Sequence, residues 1–152
     1  MKKITLFVLL SISAIFASDL KIEDAYVRAT PPGLQNSAAF MTIKNSSDEN
    51  IALLKAKSNV SKVVELHTHQ MKNGIMKMYQ VPKIDIAAKG ETTLKPGGFH
   101  IMLIGLKHPL KVGENVDLTL EFSNGKSQKV SAKIKTVMGG MKMKHHNMQH
   151  KN

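Results

Sequence analysis

The sequence predicts an all-β sandwich over residues 18–136. Three observations carry this expectation. Short alternating or apolar runs recur along the stretch, clusters of Gly, Pro, Asn and Ser separate them, and no long segment holds an apolar stripe at helical spacing. Many short strands broken by turn signals at such intervals are the pattern of a sandwich or barrel. At 152 residues the chain is long enough for one domain with a real core.

Strands are expected at 22–28, 38–44, 51–56, 62–69, 75–81, 91–94, 99–104, 116–122 and 129–135. Between them "TPPGLQN", "NSSDEN", "MKNG", "KPGG", "KVGEN" and "SNGKS" hold the residue types that turns require. Register can be worked out for two hairpins. In "VELHTHQMKNGIMKMYQV" a two-residue turn at Asn73 and Gly74 sets Leu66 opposite Val81 and Thr68 opposite Tyr79 on one face. On the other face Met71 opposes Met76, His69 opposes Met78, and His67 opposes Gln80, diagonal to Met78. In "VDLTLEFSNGKSQKVSAKI" a two-residue turn would set apolar residues against polar ones. A three-residue loop at 124–126 instead pairs Leu120 with Val130, Leu118 with Ala132 and Val116 with Ile134, with Gly125 or Lys126 taking the unusual φ.

The two ends of the chain are of a different kind. Residues 1–17, "MKKITLFVLLSISAIFA", combine Lys2 and Lys3 with an apolar run at 4–16 and a small residue, Ala17, at a cleavage point. That is the pattern of a secretory signal peptide. As a helix the run would reach about 20 Å, short of the roughly 30 Å hydrocarbon core of a bilayer. The alternative is an uncleaved anchor. Residues 137–152, "VMGGMKMKHHNMQHKN", have no strand alternation and are dense in Met and His, so this tail is expected to be disordered without metal.

The formal net charge of +11 falls to +9 once Lys2 and Lys3 are removed. Aromatics are 5% and the lysines are scattered, which argues against nucleic acid and for a solvated basic surface suited to an acidic partner or anionic head groups. With no cysteine the chain can form neither a disulfide nor a thiolate site, and it lacks the Cys ligand of a blue-copper electron-transfer centre. Against that absence stand ten methionines and seven histidines. No Ser/His/acid arrangement or phosphate-binding glycine loop points to an enzyme.

Residues 98–102 read "GFHIM". On a strand His100 and Met102 face one way, and Ile101 and Leu103 face the other, toward a core. If this strand lies beside the 67–78 hairpin, two imidazoles and two thioethers converge. Thioether suits Cu(I), whereas zinc rarely takes it, and a neutral His/Met set favours a monovalent ion. A single methionine is more often core filler, and Met41 and Met138 are read that way. Core packing does not account for two histidines beside three methionines on one hairpin face.

At this point the sequence resembles the PCu(A)C family of periplasmic copper chaperones. Their motif is a His, ten residues, a Met, twenty-one residues, then His-x-Met. His67, Met78, His100 and Met102 stand at those spacings, and "VELHTH", "NGIMKM" and "LKPGGFHIMLIGLKHPLKVGE" extend the likeness over residues 20–136. The resemblance implies a cupredoxin-like antiparallel β-sandwich. It implies a Cu(I) site of His67, Met78, His100 and Met102, selecting His67 over His69; hairpin register sets His69 nearer Met78, which leaves His69 as an auxiliary ligand or a group supporting the ligands. It further implies delivery of copper to an accepting protein, such as another copper chaperone or the dinuclear copper centre of cytochrome oxidase. A Met/His-rich extension implies a second copper, Cu(II) or Cu(I), and Met141, Met143, His145, His146, Met148 and His150 fit it by composition. A periplasmic monomer is expected. The alternative is copper storage or detoxification, from which a chaperone is separated by transfer to an acceptor.

Overall fold

Between residues 19 and 136, the part of the chain that the computed structural model describes, ten strands form and no helix does. They are β1 (Leu20–Arg28), β2 (Asn36–Asn45), β3 (Ile51–Lys57), β4 (Ser61–Lys72), β5 (Ile75–Gln80), β6 (Ile84–Ile86), β7 (Gly90–Leu94), β8 (His100–Leu106), β9 (Asn115–Phe122) and β10 (Ser127–Lys135). The segment 1–17, expected to be a signal peptide, and the Met/His-rich segment at 137–152 lie outside the described residues. Each expected strand is present. β6 was not expected, because Ile84, Asp85 and Ile86 are too few to establish a period of two. Its two isoleucines are nonetheless fully buried, and it pairs with β3.

The strands hydrogen-bond in the order β5-β4-β8-β2-β1-β10-β9-β3-β6, with β7 beside β2. β2 holds two partners on one edge, pairing with β8 through residues 36–39 and with β7 through residues 41–45. The sheet divides there. β3 also packs against β4, and β6 against β7, so the strands close as a sandwich around one apolar cluster. Met41, 2% exposed, belongs to that cluster, the packing role expected of it.

Two details differ from the sequence expectation. First, β1 and β10 run parallel, Tyr26 opposite Lys133 and Arg28 opposite Lys135, in a sandwich whose other strand pairs are antiparallel as expected. No hairpin joins this pair, since nearly the whole domain lies between them, and the local rule that makes hairpins antiparallel does not reach it. Second, the β9–β10 loop has the expected three residues but sits at 123–125. Gln128 faces Leu120, Val130 faces Leu118 and Ala132 faces Val116. The amides of Phe122 and Gly125 bond to the carbonyls of Lys126 (2.9 Å) and Phe122 (3.0 Å), closing the loop around Gly125 at φ 76°. The two-residue slip keeps every side chain on its expected face. Leu120 is satisfied without an apolar partner on β10, because Ala56 of β3 opposes it on the other side.

Candidate metal centre

The central strand of the site is β8, which lies between β4 and β2. Ile101 and Leu103 are fully buried in the core, so the pleat turns His100 and Met102 to the opposite face. Register then selects their neighbours. His67 stands directly across from His100, Glu65 across from Met102, and on the other side Ala38 faces Met102. The β4–β5 hairpin carries the same face outward: His69 opposes Met78 and Met71 opposes Met76, as the sequence requires. Asn73 and Gly74 both have positive φ, 52° and 74°, the geometry of a two-residue type I′ turn. That turn fixes which hairpin residues face β8.

Three imidazoles gather as a result. The His69 and His100 rings stack at 5.0 Å between centroids, and His67 lies 5.8 Å from His100. Phe40 closes the inner side, 6.3 Å from His100. His100 is 2% exposed, while Met78, on the edge strand β5, is 44% exposed. A cavity of about 370 Å³ is lined by His69, Met78, His100, Met102 and Phe40, with Leu34 among the residues at its rim. His67 does not line this cavity. It sits one rung along β4, between Glu65 and the His100 ring.

The hydrogen bonds sort the ring nitrogens. His100 Nδ1 donates to the Gly98 carbonyl at 3.0 Å, which leaves Nε2 with its lone pair. His67 Nε2 lies 2.7 Å from a carboxylate oxygen of Glu65. With Nε2–H donating to that carboxylate, the lone pair of His67 is on Nδ1. The Nδ1 atoms of His67 and His69 are buried without a hydrogen-bond partner. Buried polar atoms left unpaired are costly, and a metal ion is one partner that relieves the cost. The carboxylate on His67 and the carbonyl on His100 are the outer contacts that orient imidazole ligands and fix their tautomers. Among the described residues no three His, Cys, Asp or Glu side chains are arranged to hold a metal ion.

Burial pushes the pKa of His100 below its usual value; the Gly98 carbonyl opposes the shift, and nearby His69, His67 and Arg28 reinforce it. A neutral imidazole is the form that binds metal. The unfolded chain, titrating near 6.5, therefore takes up a proton at higher pH than the folded chain does. The stability contributed by neutral His100 is present above about 6.5 and is lost as pH falls toward the folded pKa. In denaturant unfolding of the metal-free protein, His100→Gln is expected to lose less stability than the native chain between pH 7 and pH 5. Equal losses would show that His100 is not a source of the acid sensitivity.

Glu65, Phe40 and Gly98 were not read from the sequence as site residues. Glu65 was detectable, since it stands two residues before His67 on the same strand face. Phe40 comes from β2, whose pairing with β8 only the fold reveals, whereas Gly98 lies in the turn two residues before His100. Met141, Met143, His145, His146, Met148 and His150 lie outside the described residues.

The family described as "Putative lipoprotein LpqE-like" matches residues 20–134. The chain belongs to the LpqE-like family. A relative from Leifsonia xyli subsp. xyli, also named as a lipoprotein, is 34% identical over 124 residues, covering 81% of this chain and 74% of its own. Among solved structures, the solution structure of CuI-DR1885 from Deinococcus radiodurans is 38% identical, covers 83% of this chain and 85% of that one, and superposes with a TM-score of 0.65. The copper-bound PCuAC domain from PmoF2 superposes with a TM-score of 0.67 over 78% of this chain and 94% of that one. At 24% identity the second likeness speaks to the fold alone. The all-β fold of this LpqE-like chain is thus the fold of PCuAC domains.

Proposed function

We propose that this chain is an exported copper chaperone that binds Cu(I) through His67, Met78, His100 and Met102 and passes it to a copper-accepting protein. The observation that carries the reading is the single face of β5, β4 and β8, where two thioethers and three imidazoles meet and two buried Nδ1 atoms have no partner. The Deinococcus relative, whose structure is named as its Cu(I) form, and the LpqE-like family support it. The lipoprotein names of the relatives support export, with residues 1–17 as the signal peptide and the periplasm as destination.

The arrangement suits cargo that must leave. Met78 lies at the sheet edge and is half exposed, so an incoming thioether or imidazole displaces it first. His100 is buried and held by Gly98, so it releases last. Stepwise exchange of neutral ligands keeps the ion coordinated throughout. The dinuclear centre of cytochrome oxidase is one acceptor of suitable chemistry.

The Met/His-rich segment at 137–152 would hold a second copper, Cu(II) or Cu(I). Anaerobic Cu(I) titration of the mature protein, read by X-ray absorption, is expected to show one tightly held ion with mixed sulfur and nitrogen ligation. Deleting residues 137–152 should remove a second equivalent and leave the first. A truncated protein that keeps both ions or loses both would overturn the division.

His67 and His69 differ in a way that can be measured. The motif spacing picks His67, whose Nε2 is tied to Glu65, while His69 lines the cavity beside Met78. Replacing His67 by alanine is expected to cost more Cu(I) affinity than replacing His69, in competition with a Cu(I) chelator. The reverse order would make His69 the ligand and His67 the supporting group.

A further inference from the structure

Met71 and Met76 oppose each other one rung outward from His69 and Met78, on the same face of the hairpin. They are 64% and 53% exposed, so filling the core does not explain them. The other face of the hairpin end carries Gln70, Lys72 and Lys77 beside one exposed apolar residue, Ile75, so it gathers no matched pair of like side chains. On the ligand-bearing face, by contrast, both positions are methionine. The two-residue turn makes Lys72 and Ile75 the hydrogen-bonded pair. Met71 and Met76 therefore occupy a close-spaced rung, where Cα atoms are about 4.5 Å apart. Their flexible side chains can bring two sulfurs to opposite sides of one ion. The next rung of the same face lies two residues inward, roughly 7 Å along the strand, and presents Met78.

We propose that Met71 and Met76 form a second, outer site for a soft monovalent cation, Cu(I) or Ag(I), through which the inner ligands are loaded and unloaded. The transfer role rests on the copper reading of the inner site; binding at the outer pair does not. Two neutral thioethers offer nothing to a hard dication, and the nearby lysines, Lys72 and Lys77, repel it. A soft ion gains from sulfur without needing negative charge. With two exposed ligands the site is weaker than the inner one, which suits a point of exchange. Transfer from the Met71–Met76 pair to Met78 is a thioether-for-thioether substitution, with no change in oxidation state and no proton released, since thioethers carry none.

The test uses the full chain labelled with 13C at its methionine methyl groups and titrated anaerobically with Ag(I), each methyl being followed by NMR. The Met71 and Met76 methyls are expected to shift together, after those of Met78 and Met102. In Met71→Leu, which keeps an apolar side chain at this exposed position, the Met76 response is expected to be lost. Static Met71 and Met76 methyls, while Met78 and Met102 respond, would overturn the outer site and leave the inner one standing. An undiminished Met76 response in Met71→Leu would also overturn it, as would apolar docking behaviour without any Ag(I) response. Movement of Met71 and Met76 with Met78 and Met102 unmoved would support the outer pair and remove the inner four-ligand reading.

Discussion

Replacing Met102 by leucine is expected to lower Cu(I) affinity by more than about 100-fold, beyond the 10–100-fold typical of losing a group that only orients a ligand. The same change should shift folding stability by less than about 1.5 kcal/mol, because leucine keeps the volume and apolarity of the side chain. Met102 is partly exposed on the outer face of β8, between Glu65 and Ala38, so no core packing depends on its shape. Sulfur is what leucine removes. Met41→Leu provides the contrast: that methionine is buried in the core, and its replacement should leave copper binding as it was. Competition with a Cu(I) chelator, alongside denaturant unfolding of each metal-free variant, separates the two effects. Native affinity in Met102→Leu would remove the four-ligand assignment whatever the fold.

Where local chemistry dictates geometry, the sequence was readable. Asn73 and Gly74 demand a type I′ turn, and that turn sets every pair of the β4–β5 hairpin without reference to the rest of the fold. The face of β8 was equally plain, because Ile101 and Leu103 alternate with His100 and Met102. Where long-range pairing decides, the sequence was silent. The parallel contact of β1 with β10 joins opposite ends of the domain. In the β9–β10 hairpin the apolar match across one strand pair was the wrong criterion, since β9 has β3 on its other edge and Leu120 finds Ala56 there.

The site follows the same division. The His/Met residues of the hairpin and the β8 pair were each visible as groups, but their convergence depends on β4 lying beside β8, which no local signal encodes. The part of Glu65 emerges only in the fold: strand period places it near His67, and the 2.7 Å contact gives it a role in orienting the ring. The choice between His67 and His69 is the hardest, because a period of two puts both on one face. Register sets His69 against Met78, whereas the fold sets His67 against His100.

The last expected result joins stability to copper on one strand. Ile101→Ala should cost about 2–5 kcal/mol, the range for removing a large aliphatic side chain from a packed interior. Ile101 is fully buried, with Leu66 of β4 on one side and Ala39 of β2 on the other, both also in the core. Sheet hydrogen bonds on both edges hold the backbone apart, so little collapse into the cavity can relieve the loss. For a domain whose total stability is of order 5–15 kcal/mol, the urea midpoint should fall sharply. The ligands on either side of residue 101 are left intact. Copper held by the native fold alone then restores stability by linkage, about 2.7 kcal/mol when free Cu(I) is 100 times its dissociation constant. Unfolding curves taken with and without buffered Cu(I) should therefore show recovery in Ile101→Ala and little recovery at the same free Cu(I) in Met102→Leu. If Cu(I) fails to raise the midpoint of Ile101→Ala, the ion does not bind the folded face of β8.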